Sequence, residues 1–171
     1  LSGLITHTLL DLDCIQDALC VMACCSCKNG PDLMGFVHAL LDMGKYVALP
    51  SVPGDDSLIA VDYNYESVMK SNIFGIPEPV IRNESENVEP DVVLVPGVAF
   101  GADLNRIGYG VGYFDRFLKE TKALKVGVCF DMQMVPNIKA EPHDVRMDMI
   151  VTEKRVIRPG LSEHEPAYPR G

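Results

Sequence analysis

The sequence predicts an α/β fold, a three-layer domain with a mostly parallel sheet and helices on both faces. Three observations carry that expectation. Short runs such as Val92-Val93-Leu94-Val95 are apolar without alternation, the pattern of parallel strands covered on both sides. A helix-period segment lies between strand-like runs at 18–24 and 45–50, the order of a right-handed parallel crossover. With 171 residues, 47% hydrophobic and 23% charged, the chain has the size and composition of one globular domain with a real core.

Taken in order, Leu4, Ile5, Leu9, Leu10 and Leu12 fall at helical spacing, so residues 2–12 read as a helix. Asp17 precedes the strand at 18–24, and Asn29-Gly30-Pro31-Asp32 is a turn. Asp32 is placed to cap a helix running to about Met43, whose buried face is Phe36, Val37, Leu40 and Leu41. Gly44 closes that helix before the strand at 45–50. A loop at Pro53-Gly54-Asp55-Asp56 leads to a strand at 58–61 that turns back. Residues 64–73 read as a short helix or irregular segment. Phe74-Gly75-Ile76-Pro77-Glu78-Pro79 reads as a rigid extended connection, because each proline restricts the residue before it. Residues 82–90 form a polar surface loop. Beyond the central strand at 92–95, further strands are expected at 125–130 and 149–153. One domain is expected over 1–157, with a loosely held tail over 158–171, rich in proline and charge.

Composition narrows the function. A formal net charge of −9 opposes binding to nucleic acid or to an anionic membrane surface. No apolar run reaches membrane-spanning length, and no basic region with a hydrophobic block opens the chain. The chain starts at Leu1 rather than methionine, so the expectation is that upstream residues have been lost. Six cysteines include Cys24-Cys25-Ser26-Cys27, which has no C-x-x-C pair and no matching histidine spacing. The cluster therefore reads as small hydrophobes ending an apolar run, in a chain suited to a reducing cytoplasm.

The stretch from Pro96 to Leu118 carries the chemistry. Pro96-Gly97 ends the strand at 92–95, and an eleven-residue loop at 97–107 holds Arg106. Gly108-Tyr109-Gly110-Val111-Gly112 then feeds an amphipathic helix. Tyr113, Phe114, Phe117 and Leu118 form its apolar face, with Arg116, Lys119 and Glu120 opposite. A glycine loop entering a helix presents backbone N–H groups and the positive end of the helix dipole, a setting for phosphate. Arg106 supplies a cation, Tyr109, Tyr113 and Phe114 aromatic walls, and Asp115 a carboxylate suited to Mg²⁺. Each residue also has a plainer role: glycines for turn geometry, Arg106 as a solvated loop residue, the aromatic pair as core, Asp115 as a complement to the helix dipole.

In this stretch the sequence resembles the 5-formyltetrahydrofolate cyclo-ligases, also called methenyltetrahydrofolate synthetases, whose signature reads roughly PGVAFD…RLGYGGGYYDRFL. Here it stands as Pro96-Gly97-Val98-Ala99-Phe100-Gly101, then 106–118 from Arg106 to Leu118. Residues 74–79 match the family's FGIxEP, and 141–153 resemble its EPHDVPLDxIVTE. The resemblance implies a monomeric cytoplasmic enzyme with ATP and Mg²⁺ as cofactors and 5-formyltetrahydrofolate as substrate. The expected products are 5,10-methenyltetrahydrofolate, ADP and phosphate. It implies Arg106 and Tyr113 as catalytic residues, and Arg106, Gly108, Tyr109, Gly110, Val111, Gly112, Tyr113 and Phe114 around the nucleotide. Asp115 and Asp148 are the implied metal carboxylates, brought by the expected topology to one sheet edge, and His143 and Asp144 are candidates for shaping the cleft.

Several positions depart from the family pattern. Gly101 replaces the aspartate after PGVAF, and Phe114 stands where tyrosine is common. Asn29-Gly30-Pro31-Asp32 replaces a segment resembling EVDT, and no basic residue precedes Lys28, where the family has a lysine and an arginine for ATP phosphates. These departures motivate one rival, a non-catalytic folate- or nucleotide-binding relative. A second rival is a nicotinamide-binding oxidoreductase, with Asp131 about twenty residues past the glycines as the ribose acid. It is opposed by a loop that lacks the third glycine of the fingerprint and does not directly follow a strand.

Overall fold

A computed structural model describes residues 1–25, 29–54, 57–73, 75–83, 86–110, 112–141 and 144–160. The central sheet forms from apolar runs that bury both faces. β1 (Cys20–Met22), β2 (Tyr46–Ser51), β6 (Val92–Val95), β9 (Leu124–Val128) and β11 (Met149–Val151) are parallel neighbours in the order β11-β9-β6-β1-β2. All four residues of β6, the middle strand of the five, are buried. Two antiparallel strands close the edges, β3 (Ile59–Tyr63) against β2 and β12 (Val156–Ile157) against β11, making a seven-stranded sheet. The α/β, mostly parallel reading of the sequence is what the structure has.

One face is covered by α1 (Ser2–Asp11), α2 (Asp13–Asp17) and α3 (Met34–Asp42), with Ile5, Leu9, Ile15, Phe36, Val37 and Leu40 in the core. α4 (Tyr113–Glu120) covers the other, placing Leu118 beside Met22, Val93, Val95, Phe100 and Ile150. The expected helix at 2–12 is α1, which ends at Asp11; Leu12, with an extended backbone (φ −70, ψ 134), separates it from the short α2. Asp32 serves its expected place ahead of α3, its Oδ1 accepting the Met34 N–H at 3.0 Å.

Elsewhere the structure corrects the reading. The 64–79 region, expected as an irregular segment and a connection, contains an antiparallel hairpin of β4 (Met69–Ser71) and β5 (Pro77–Pro79). The presumed loop at 97–107 contains another, β7 (Ala99–Gly101) with β8 (Arg106–Ile107), joined by β10 (Met134–Val135) into a three-stranded sheet. Strands this short are invisible to periodicity, since two or three residues cannot display alternation. Late in the polar stretch, Asn87 and Val88 lie along the sheet edge, where Val88 N–H donates to Ala60 O at 2.9 Å. Of the cysteine cluster, Cys24 is buried in the core and Cys25 packs against it, while Cys27 lies outside the described residues.

Candidate functional site

The site lies where topology leads one to look, beyond the carboxyl ends of the parallel strands. β6 ends at Val95, the β7–β8 hairpin follows, and the chain returns through Gly108 to α4 before descending into β9. Gly110 and Gly112 are in the left-handed region, at φ +97 and +81, which only glycine enters freely. Gly112 is the residue that starts α4, so its conformation sets the direction of the helix. Gly108 is needed for room: a Cβ there would come within 2.9 Å of Arg106 Nη1. A cleft of about 360 Å³ opens at this place, lined by Gly108, Gly110, Gly112, Asp115, Arg116 and Lys119.

Arg106 is not the solvated loop residue of the plainer sequence reading. It sits in β8 with its side chain 3% exposed, beneath the glycine loop. Its Nη1 donates to the Pro96 carbonyl at 2.9 Å and its Nη2 to Asp115 Oδ1 at 2.8 Å. Its guanidinium carbon lies 5.9 Å from the centre of the Phe114 ring, and its Nε is buried without a partner. The cation thus reaches the cleft from behind, through the carboxylate it holds. Asp115, in the first turn of α4, keeps a third of its side chain exposed and lines the cleft.

Two other cations face the opening. Arg116 and Lys119 are exposed on α4, and the Arg116 guanidinium lies 5.1 Å from the centre of the Tyr113 ring. The sequence reading placed both on the polar face of the helix without a role. Their signal was the spacing 112, 115, 116, 119, one helical stripe beginning at the glycine that starts the helix. Tyr113 and Phe114 are half-buried, Phe114 against the core, and Tyr109 is exposed, its hydroxyl donating to the Gly97 carbonyl at 3.3 Å. Val111 and His143 lie outside the described residues.

Asp148 does not join Asp115. It precedes β11 at the amino end of the strands, and its Oδ2 accepts the Lys125 N–H at 2.8 Å at the start of β9. Asp115 stands at the carboxyl end, with the helix and a strand length between them. The expectation of a shared sheet edge treated a junction before a strand as equivalent to one after a strand, and in a parallel sheet these are opposite edges.

Sequence reasoning also missed a network beside the site. Asp131, just past β9, accepts hydrogen bonds at Oδ1 from Arg155 Nε (2.8 Å) and Thr152 Oγ1 (3.0 Å). Its N–H donates to Glu153 Oε1 at 2.6 Å. Gln133 Nε2 donates to the Gly97 carbonyl at 3.0 Å, pinning the turn after β6. Burial, with the neighbouring Asp131 and Glu153 charges, pushes the Cys129 thiol well above its ordinary range, so it stays protonated and is no nucleophile. Asp131, already committed to Arg155 and Thr152, is also not a free ribose acid.

Fold and site together define an α/β protein with an anion-suited cleft made by a glycine loop, a helix amino terminus and two flanking cations. Comparison with known proteins gives this class a family. The sequence matches the model of the 5-formyltetrahydrofolate cyclo-ligase family over residues 2–153. A probable 5-formyltetrahydrofolate cyclo-ligase of Schizosaccharomyces pombe is 33% identical over 158 residues, covering 78% of this chain and 76% of that one. The 5-formyltetrahydrofolate cyclo-ligase of Mycolicibacterium smegmatis is 32% identical over 136 residues, covering 74% and 70%. Among solved structures, the 5,10-methenyltetrahydrofolate synthetase of Aquifex aeolicus superposes with a TM-score of 0.82 at 32% identity, covering 95% of this chain and 82% of that one. The chain belongs to the 5-formyltetrahydrofolate cyclo-ligase family, a family of enzymes.

Proposed function

We propose that the protein converts 5-formyltetrahydrofolate to 5,10-methenyltetrahydrofolate at the cost of ATP, with Mg²⁺. The observation that carries this reading is the cleft at α4, where three glycines, Asp115, Arg116 and Lys119 converge. A formamide oxygen leaves poorly. Transfer of the γ-phosphoryl group to the formyl oxygen of N5 releases ADP and gives an imidoyl phosphate. N10 then attacks the formyl carbon, a C–N bond forms as N10 releases its proton to solvent, the C–O bond breaks, and phosphate departs with the oxygen. Phosphoryl transfer asks a protein chiefly for positioning and charge neutralisation.

The chain's residues fit those tasks. Backbone N–H groups of the glycine loop and the start of α4 receive the phosphates, and Arg116 and Lys119 neutralise them. Arg106 fixes Asp115 by one oxygen, leaving the other for the cleft. Among the described residues no cluster of three or more His, Cys, Asp or Glu could form a dedicated metal cage. Mg²⁺ does not need one, since it is held by one or two carboxylates with waters and substrate phosphates. Asp115 is the residue that would hold it, and the ion would supply charge to the transferring phosphoryl group. Tyr113 lies against Arg116, one of the cleft's cations, and Phe114 against Arg106 behind it. The thiols of Cys14, Cys20 and Cys129 suit a reducing cytoplasm.

The test is the appearance of methenyl-folate absorbance from 5-formyltetrahydrofolate with ATP and Mg²⁺, with ADP release in equal amount. Absence of turnover, with both ligands still bound, would make the protein a non-catalytic relative.

A further inference from the structure

Glu78 is the buried carboxylate that neither the fold nor the nucleotide cleft accounts for. It is 4% exposed, in the middle of β5, between two prolines that stiffen the backbone. Its Oε1 accepts from Ser51 Oγ at 3.2 Å and its Oε2 from Asn72 Nδ2 at 3.4 Å. Both donors are neutral and both contacts are long. A hydroxyl donating to a carboxylate normally approaches to about 2.5–2.7 Å. No cation among the described residues pairs with Glu78; Lys70, its register partner on β4, is exposed and makes no ion pair with it. A buried carboxylate left this way carries a desolvation penalty that two weak hydrogen bonds do not offset. An ionised carboxylate has about four acceptor sites, and two are in use here.

Its position gives the acceptors a purpose. Ser51 is the last residue of β2, so Glu78 lies at the carboxyl edge of the sheet, two strands from β6, roughly 10 Å at ordinary strand spacing. The nucleotide cleft has a neighbouring cleft on the side of β3. Arg116 lines both, and the second, of about 430 Å³, has Ser57 and Leu58 among its other walls. Those residues enter β3, whose first residue, Ile59, pairs with Ser51.

We propose that Glu78 is the specificity residue for the folate, accepting the paired N–H donors of the 2-amino-4-oxopyrimidine half of the pterin. A carboxylate with both oxygens available matches two parallel donors, N3–H and the 2-amino group, as it matches the fork of a guanidinium. This inference rests on the reaction proposed above. It adds which residue reads the ring and predicts which ring is accepted.

The full-length protein and Glu78→Gln are compared by calorimetric titration with 5-formyltetrahydrofolate and, separately, with ATP and Mg²⁺. Glutamine keeps the size and can still accept from Ser51 or Asn72, so a tether joining β5 to β2 would survive. The expected result is at least tenfold weaker folate binding with unchanged ATP binding. A second comparison on the wild-type protein uses the 2-desamino analogue of 5-formyltetrahydrofolate, expected to bind at least tenfold more weakly than the parent. Equal folate affinity in Glu78→Gln overturns the proposal. If that variant fails to fold, equal affinity of the wild type for the two folates overturns it. Folate binding that depends on Glu78 without turnover would leave this inference standing and sink the proposed reaction, and failure of the wild type to bind any folate would sink both.

Discussion

The two edges of the sheet use aspartate and glutamate in opposite ways. At the amino edge, Asp91 Oδ2 accepts the Leu19 and Cys20 N–H groups at 2.8 and 2.9 Å, joining the start of β6 to that of β1. Asp148 does the same for Lys125 at the start of β9. These carboxylates are exposed but finished: each closes a backbone donor that would otherwise face the end of the sheet unpaired. At the carboxyl edge, Asp115 gives one oxygen to a buried arginine and Glu78 is held by two long contacts. The comparison teaches that an acidic residue flanking a strand is read by its side of the strand. Asp91 and Asp148, before their strands, are structural here, and Asp115, beyond the carboxyl end of β6, faces the cleft.

The largest expected effect falls on Asp115. Asp115→Asn keeps shape and the Arg106 contact but removes the charge, and turnover should fall on the order of 10²-fold, the usual scale for losing one electrostatic element of a transition state. Asp148→Asn should leave turnover and the Mg²⁺ requirement unchanged. Equal effects of the two variants on Mg²⁺-dependent turnover would erase the distinction between the edges.

Arg106→Ala comes next, and sharpens the comparison by asking what holds a carboxyl-edge carboxylate in place. It removes a buried cation and leaves the Pro96 carbonyl and Asp115 without their partner. Losing one member of a fully buried pair costs about 3–5 kcal/mol; with Asp115 a third exposed, a loss of about 2–3 kcal/mol is expected in urea unfolding. Asp115→Asn should lose far less. Should Arg106→Ala weaken ATP binding with no loss of stability, Arg106 is a direct phosphate ligand rather than the support of Asp115.

A smaller effect is expected at Gly112. Gly112→Ala forces a side chain into φ +81 and brings its Cβ to 3.4 Å from Arg116 Nη1. The strain is about 1–2 kcal/mol. Because it falls on the residue that aims α4, ATP affinity should drop more than the melting temperature suggests. Titration and thermal unfolding of the same variant measure the two.

Much of this was legible in the sequence. Runs such as 92–95 and 126–130 are apolar without alternation, as covered strands are, and Gly108, Gly110 and Gly112 announce a loop entering a helix. Depth was hidden. Nothing in the order of residues says that Arg106 turns beneath its own loop, since that follows from the β7–β8 hairpin, whose second strand has only two residues. Glu78 likewise looked like part of a stiff connection, because its burial depends on Ser51, 27 residues earlier. The helical stripe of Arg116 and Lys119 was present in the spacing and was passed over in favour of the nearest arginine to the glycines.

The smallest predicted effect concerns Asp103, which stands in for the amino-edge style of carboxylate within the β7–β8 hairpin, beside the site. A Cβ at Gly101 would overlap Asp103 Oδ1, so the carboxylate occupies the space where a side chain at 101 would begin. Its Oδ2 accepts the Ile138 N–H at 3.0 Å and its Oδ1 the Asn105 N–H at 3.2 Å. Burial pushes its pKa up, but these hydrogen bonds outweigh burial and hold it below the ordinary aspartate value. A carboxylate lowered in the folded state contributes stability at pH above its unfolded value, about 3.9, and loses it as pH falls through the folded value. Asp103→Asn offers one acceptor oxygen in place of two, and the group is largely solvated, so the cost at neutral pH should be roughly 0.5–1 kcal/mol. The gap in melting temperature between wild type and variant should be full at pH 6, begin to shrink below about pH 4 and close as the folded carboxylate takes up its proton. A gap that widens in acid would mean that Asp103 is held above its ordinary value, and that the hydrogen bonds from Ile138 and Asn105 do not hold the hairpin.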